Sequence, residues 1–159
     1  MGIFDKIFGS SIDWNEIKNT THVYPKDSIS LLQLTTESGA IGTGWINKGY
    51  QDYKYKKFTP YNFLIVVNLA DDIAEANSEL NMGTIEDFFT DEMRKIGVAH
   101  IVARVVTDEG LNIEMYIENV KDSYEKLQEF IEDPKRLVTF NVEVNEDPKW
   151  RAVRDLMNI

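Results

Sequence analysis

At 159 residues, with 43% hydrophobic and 28% charged residues, the chain has the size and mix of one globular domain, or of one domain with a substantial extension. Its formal net charge of −10 opposes non-specific binding to DNA or RNA, whose phosphates repel an acidic surface, and suits a basic protein partner. It has no cysteine, which excludes disulfides, thiolate nucleophiles and cysteine-ligated zinc.

The N-terminus, MGIFDKIFG, is amphipathic but too short and too acidic for a signal peptide, and Lys6 stands where a myristoylation motif needs Ser or Thr. No apolar run approaches the length of a membrane span. The expected setting is the cytoplasm, with no membrane partner. His22 and His100 lie far apart with no metal-binding helical spacing, so no histidine metal site and no cofactor are expected.

Residues 10–19 predict a short helix with Ile12 and Trp14 near its start and Ile17 on a packing face. SISLLQLTT (28–36) predicts a strand, and in 42–58 the stretch GTGWINKGY suits a turn between two short strands. YNFLIVVNL (61–69) is an almost unbroken apolar run, as expected of a central strand covered on both faces. In 83–97, Ile85, Phe88, Phe89, Met93 and Ile96 fall on one helical face. Thr84 is the expected cap, Glu86 and Asp87 the first-turn acids, and Gly97 the stop.

AHIVARVVT (99–107) and LNIEMYIEN (111–119) flank the turn DEG and predict a hairpin. In its second strand Leu111, Ile113, Met115 and Ile117 alternate with Asn112, Glu114, Tyr116 and Glu118. Residues 121–134 predict a helix with Asp122 as cap, Tyr124, Leu127, Phe130 and Ile131 as buried stripe and Pro134 as stop. LVTFNVEVN (137–145) alternates with Val138, Phe140, Val142 and Val144 inward, and a short helix (148–157) begins at Pro148.

The order β-α-β-β-α-β predicts an α+β fold, a ferredoxin-like four-stranded antiparallel sheet with two helices on one face. This places the domain at 61–159, followed to its end by the short helix, with 1–60 as an N-terminal extension packing on it. Leu64, Val66, Val102, Val106, Tyr116 and Leu137 are assigned to the other face, which is too apolar to stay wet. The first sixty residues, or a second copy in a homodimer, are expected to cover part of it.

The second half of the chain resembles a bacterial family catalogued as domain of unknown function 695. The resemblance rests on the apolar strand 61–69, the helix with Glu86 and Asp87, the strand IEMYIENV with Tyr116, and NEDPKW (145–150) before the terminal helix. TGWINKGYQDYKYKK is similar to a Tyr/Lys-rich segment upstream in some members. The resemblance implies a ferredoxin-like core similar to that of regulator of ribonuclease activity B. It implies little about activity, since fold similarity to an inhibitor is analogy.

GAIGTG reverses the dinucleotide fingerprint and lacks a P-loop ending, so its glycines are read as turn residues. In NKGYQDYKYKKFTPY, lysines interleave with aromatics, a pattern that suits stacked bases and held phosphates or a protein-docking surface. The net charge favours docking, with Tyr50, Tyr53, Lys54, Tyr55, Lys56 and Tyr116 as candidate binding residues. Residues 68–93 contain acids but no Lys or Arg, and Asp71, Asp72 and Glu75 are the candidate acidic docking residues. NEDPKW has a structural reading: Asp147 caps a helix and Trp150 anchors in the core. His100 is read as a sheet residue, and Glu114 with Glu118 as a weak carboxylate pair flanking Tyr116.

The expected function is a non-enzymatic protein-binding module, of inhibitor or immunity type, with no catalytic or metal-ligating residue assigned. The alternatives are a small enzyme using carboxylates and tyrosines, or a single-strand nucleic-acid binder using the Lys/Tyr segment.

Overall fold

The computed structural model describes residues 12–77 and 80–159. The stretch 1–9, read above for targeting, residues 10 and 11 of the first predicted helix, and Glu79 among the acids of 68–93 lie outside the described residues. After a short helix α1 (Trp14–Ile17), strands β1 (Ile29–Thr35) and β2 (Ile41–Asn47) form a hairpin. Strand β3 (Tyr61–Asn68) is followed by helices α2 (Asp72–Ala76) and α3 (Met82–Arg94). Strands β4 (Ala99–Thr107) and β5 (Gly110–Ile117), helix α4 (Val120–Glu132), strand β6 (Thr139–Glu146) and helix α5 (Arg154–Met157) complete the fold. Among the described residues no helix is long and apolar enough to cross a membrane.

The class is α+β, built on one six-stranded antiparallel sheet in the order β1-β2-β4-β5-β3-β6. The sheet is therefore wider than the expected four strands. The turn predicted inside GTGWINKGY lies instead at 36–40, where Gly39 takes φ 85, and GTGWIN runs on as strand β2. Gly44 makes the β2–β4 pairing possible, because a Cβ there would lie 1.9 Å from the Arg104 carbonyl oxygen.

One sheet face packs on α3 and α4. Phe63, Ile65 and Val67 of β3, Leu111, Ile113 and Met115 of β5, and Phe140 of β6 meet Ile85, Phe89 and Met93 of α3 and Leu127 of α4. The caps differ from those predicted. Asn81 accepts from the Thr84 amide and Asn119 from the Asp122 amide, so each helix starts earlier and Glu86 and Asp87 fall beyond the first turn of α3. Tyr124 is exposed, and Ser123 and Leu127 are the buried residues of α4.

The opposite face carries a second cluster of Leu32, Ile46, Tyr50, Tyr53, Val102, Ala103, Tyr116, Trp150, Val153 and Met157. Its cover comes from residues 48–59 and from the C-terminal segment. Val106 does not belong to this face. A β-bulge between Ile101 and Ala103 reverses the alternation, so Val102 joins the second cluster and Val106 the helix side. Leu137, just before β6, also packs on the helix side.

Candidate functional site

The Lys/Tyr segment folds inward. Two 3-10 turns, Lys48–Tyr50 and Lys56–Phe58, send tyrosines under the sheet and leave several lysines outside. Tyr50 is 3% and Tyr53 9% exposed, and Tyr116 is fully buried, which removes all three from the expected docking surface. Tyr116 stacks on Trp150 with ring centroids 4.1 Å apart, while the Trp150 indole N–H reaches the Thr59 and Lys56 carbonyls. Half-buried Tyr55 packs edge-on against Tyr53, Lys56 donates to the Gln51 carbonyl, and Lys54 is exposed. Phe58 stacks on Trp14. The segment therefore offers no row of free aromatic faces for bases.

His100 sits wholly buried in this cage, with the Tyr50 hydroxyl 2.9 Å from Nδ1 and the Tyr53 hydroxyl 3.2 Å from Nε2. Tyr53 donates its single proton to the Val23 carbonyl at 2.7 Å, so Nε2–H must be the donor to Tyr53 and Nδ1 the acceptor from Tyr50. That chain satisfies every polar atom with a neutral imidazole. Burial, with Arg94 nearby, pushes the His100 pKa down to about 3, and burial pushes both tyrosine hydroxyls up. These groups hold the core together: His100 is fully enclosed, and of the three only Tyr50 borders a cleft.

The carboxylates near Tyr116 are tied up separately. Glu114 accepts from the Asn62 amide at 2.6 Å, and burial raises its pKa despite that bond. Burial would raise Glu118 too, but the Val98 amide, the Trp14 indole and Lys18 outweigh it and hold this carboxyl below its usual range. Tyr116 donates to Asp147 at 2.7 Å, and Asp147 also accepts from the Arg151 and Ala152 amides. Asp147 thus caps the C-terminal turn as the sequence predicts, although that turn begins as a 3-10 helix.

Asp71 caps α2 through the Ala74 amide, while Asp72 and Glu75 are exposed. They lie past the Asn68 end of β3, whereas the tyrosine cluster lies by its Tyr61 end, so the two groups of candidate residues do not meet.

The structure assembles a different site. The β1–β2 hairpin extends the sheet beyond α3, and the corner between them is a cleft of about 400 Å³. Trp45, Ile29 and Ile101 contribute apolar surface, Asp27, Glu86 and Asp87 bring carboxylates, and Arg94 brings a cation. Glu86 anchors the wall by accepting from the Trp45 indole and pairing with Arg104. Asn47 fixes Asp27 at 2.8 Å while its own carbonyl oxygen accepts from the Ser28 and Gly49 amides. Arg94 lies over the Tyr24 ring, 4.3 Å from its centroid, and donates to the Ala99 carbonyl. Outside the cleft the same hairpin face exposes Leu31 (87%) and Ile41 (62%). Trp45 was missed from sequence, because its place opposite Leu31 follows from the strand pairing and from no local pattern.

Compared with protein-family models, curated proteins and solved structures, the chain matches none.

Proposed function

We propose that the protein is a non-enzymatic protein-binding module that docks a basic segment of its target in the cleft between α3 and the β1–β2 hairpin. The observation that carries the reading is the make-up of that cleft, an indole and two isoleucines beside Asp27 and Asp87, with Glu86 paired to Arg104 and Arg94 held over Tyr24. A lysine or arginine side chain suits it, its stem lying on apolar surface and its cation meeting indole and carboxylate. The net charge of −10, with Asp72 and Glu75 exposed on α2, speeds the approach of such a partner. An inhibitor or immunity-type role toward a basic protein follows from the same chemistry.

On fold, we read 61–159 as a ferredoxin-like unit widened by the hairpin. The order β4-β5-β3-β6, with α3 and α4 in the two connections, supports that reading. Membership of family 695 rests on the sequence motifs alone.

The test is a pull-down of tagged protein from its native lysate after nuclease treatment, comparing wild type with Trp45→Ala and Asp87→Lys. The expected result is a stoichiometric basic protein held by wild type and weakened about 30-fold or more by Trp45→Ala, as for a central interface anchor. A protein held equally by all three forms, capture that disappears with nuclease, or no capture overturns the proposal.

A further inference from the structure

We infer that the protein self-associates through the outer edge of β1, two copies pairing antiparallel about a twofold axis at Leu31 to form one continuous sheet. The inference does not rest on the basic-partner reading. The sheet has two edges, β1 and β6. Strand β6 carries Glu143 and Glu146, the kind of charge that blunts an edge. Strand β1 carries none: residues 28–36, SISLLQLTT, contain no charge and no proline.

The backbone of β1 is oriented for such pairing. Lys48 N–H donates to the Ser28 carbonyl and Thr36 N–H to the Ala40 carbonyl, so the even-numbered residues bond to β2. By alternation, the N–H and C=O groups of Ile29, Leu31, Gln33 and Thr35 point away from the sheet. Among the described residues no hydrogen bond reaches that side.

Charge distinguishes the two central registers that a second copy could take. A twofold edge pairing that keeps each sheet face continuous is antiparallel and sets residues of one face opposite each other. With Leu32 on the axis, Asp27, two residues before β1, would come close to Glu37 of the second copy, two residues past the strand in the 36–40 turn, and like charges would meet at both ends. Moving the axis one residue to Leu31 removes that clash. Leu31 then meets Leu31 of the second copy, Ile29 meets Gln33, and roughly six main-chain hydrogen bonds form. Glu37 lies one position from Lys26 of the second copy, so the two ends of the strand are complementary. The exposure of Leu31, 87% in the single chain, is explained because it sits at the centre of the pairing beside Trp45.

The mass in solution tests this by sedimentation equilibrium across the micromolar range. Wild type is expected at roughly twice 18.4 kDa. Leu31→Lys, which puts two cations on the axis, and Gln33→Pro, which removes one outward N–H, are expected to halve that mass without changing the far-ultraviolet circular dichroism. Because the chain has no cysteine, Leu31→Cys also reports the register directly. Paired α-carbons about 5.5 Å apart are within disulfide range, so mild oxidation should yield a covalent dimer, while Thr43→Cys on β2 should not. A monomeric wild type, or a dimer that persists in both edge variants and does not cross-link at position 31, overturns the inference.

Discussion

Acid should destabilise this protein through His100 before most of its carboxylates titrate. The imidazole is neutral in the fold, where Nδ1 accepts from Tyr50 and Nε2–H donates to Tyr53, and burial holds its pKa at about 3 against an ordinary 6.5. Protonation would give Nδ1 a hydrogen facing the Tyr50 hydroxyl, whose own proton points back at it, with the Arg94 charge nearby. Between pH 6.5 and about 3 the unfolded chain therefore binds a proton that the folded chain refuses, so stability falls as pH drops below 6.5. At pH 5, about 1.5 pH units below the ordinary imidazole value, that difference in proton binding amounts to about 2 kcal/mol.

The assay is urea unfolding at pH 7.5 and pH 5 for wild type and His100→Gln, since the carboxylates common to both cancel in the difference. Wild type should lose about 2 kcal/mol more than His100→Gln over that interval, whatever their absolute stabilities. The ring proton on Cε1 of His100, followed by NMR in wild type, should show no titration midpoint between those pH values. Equal losses in the two proteins, or a midpoint near 6, would refute the neutral buried imidazole.

Three further changes probe the frame around it. Gly44→Ala places a Cβ 1.9 Å from the Arg104 carbonyl oxygen and should cost about 1–3 kcal/mol, with hydrogen-exchange protection lost in β1 and β2 first; an unchanged melting temperature would contradict the close approach. Asp147→Ala removes the acceptor of Tyr116 and of the Arg151 and Ala152 amides and should cost about 1–3 kcal/mol in chemical unfolding. The pKa of Asp147 is held down by those amides and Tyr116 against the opposing effect of burial, so its contribution should be present at neutral pH and fade as acid protonates it. Ser123 has a buried hydroxyl without a partner, so Ser123→Ala should leave stability unchanged or raise it by up to about 1 kcal/mol, and a clear loss would reveal a missed bond.

Periodicity made the central elements legible. Ile85, Phe89 and Met93 announced α3, and the alternation from Leu111 to Ile117 announced β5, because one buried stripe fixes both the element and its face. The bulge at Ile101–Ala103 left no such trace: a slip of one residue in AHIVARVVT changes no composition, yet it moves Val106 to the helix side. The joining of β2 to β4 is equally silent, since its partners are more than fifty residues apart and only Gly44 hints that another backbone comes close. The cleft draws on residues 27–29, 45–50, 86–94 and 101, so no local window contains it. Glu86 looked like a helix-start charge because Asn81, four residues before the predicted start at Ile85's stripe, was not recognised as the cap.

The inward turn of the Lys/Tyr segment follows from what the second sheet face requires. Tyr116, Val102 and Ala103 leave apolar area on that face that α3 and α4, on the opposite side, do not cover. A tyrosine is suited to close such a face, since it buries a large ring and still satisfies a hydroxyl. Tyr50 and Tyr53 do so on the two nitrogens of His100, while the flanking lysines keep their charges at the rim. Trp150 locks the arrangement from the far end of the chain. It adopts a left-handed backbone, φ 54, which costs a bulky residue about 1–2 kcal/mol, offset by the stack on Tyr116, the indole bonds to Thr59 and Lys56 and the amide bond to Asp147. Of these aromatics only Tyr50 borders the cleft between the β1–β2 hairpin and α3, so the face we propose for recognition is built almost wholly from residues that the aromatic cluster does not use.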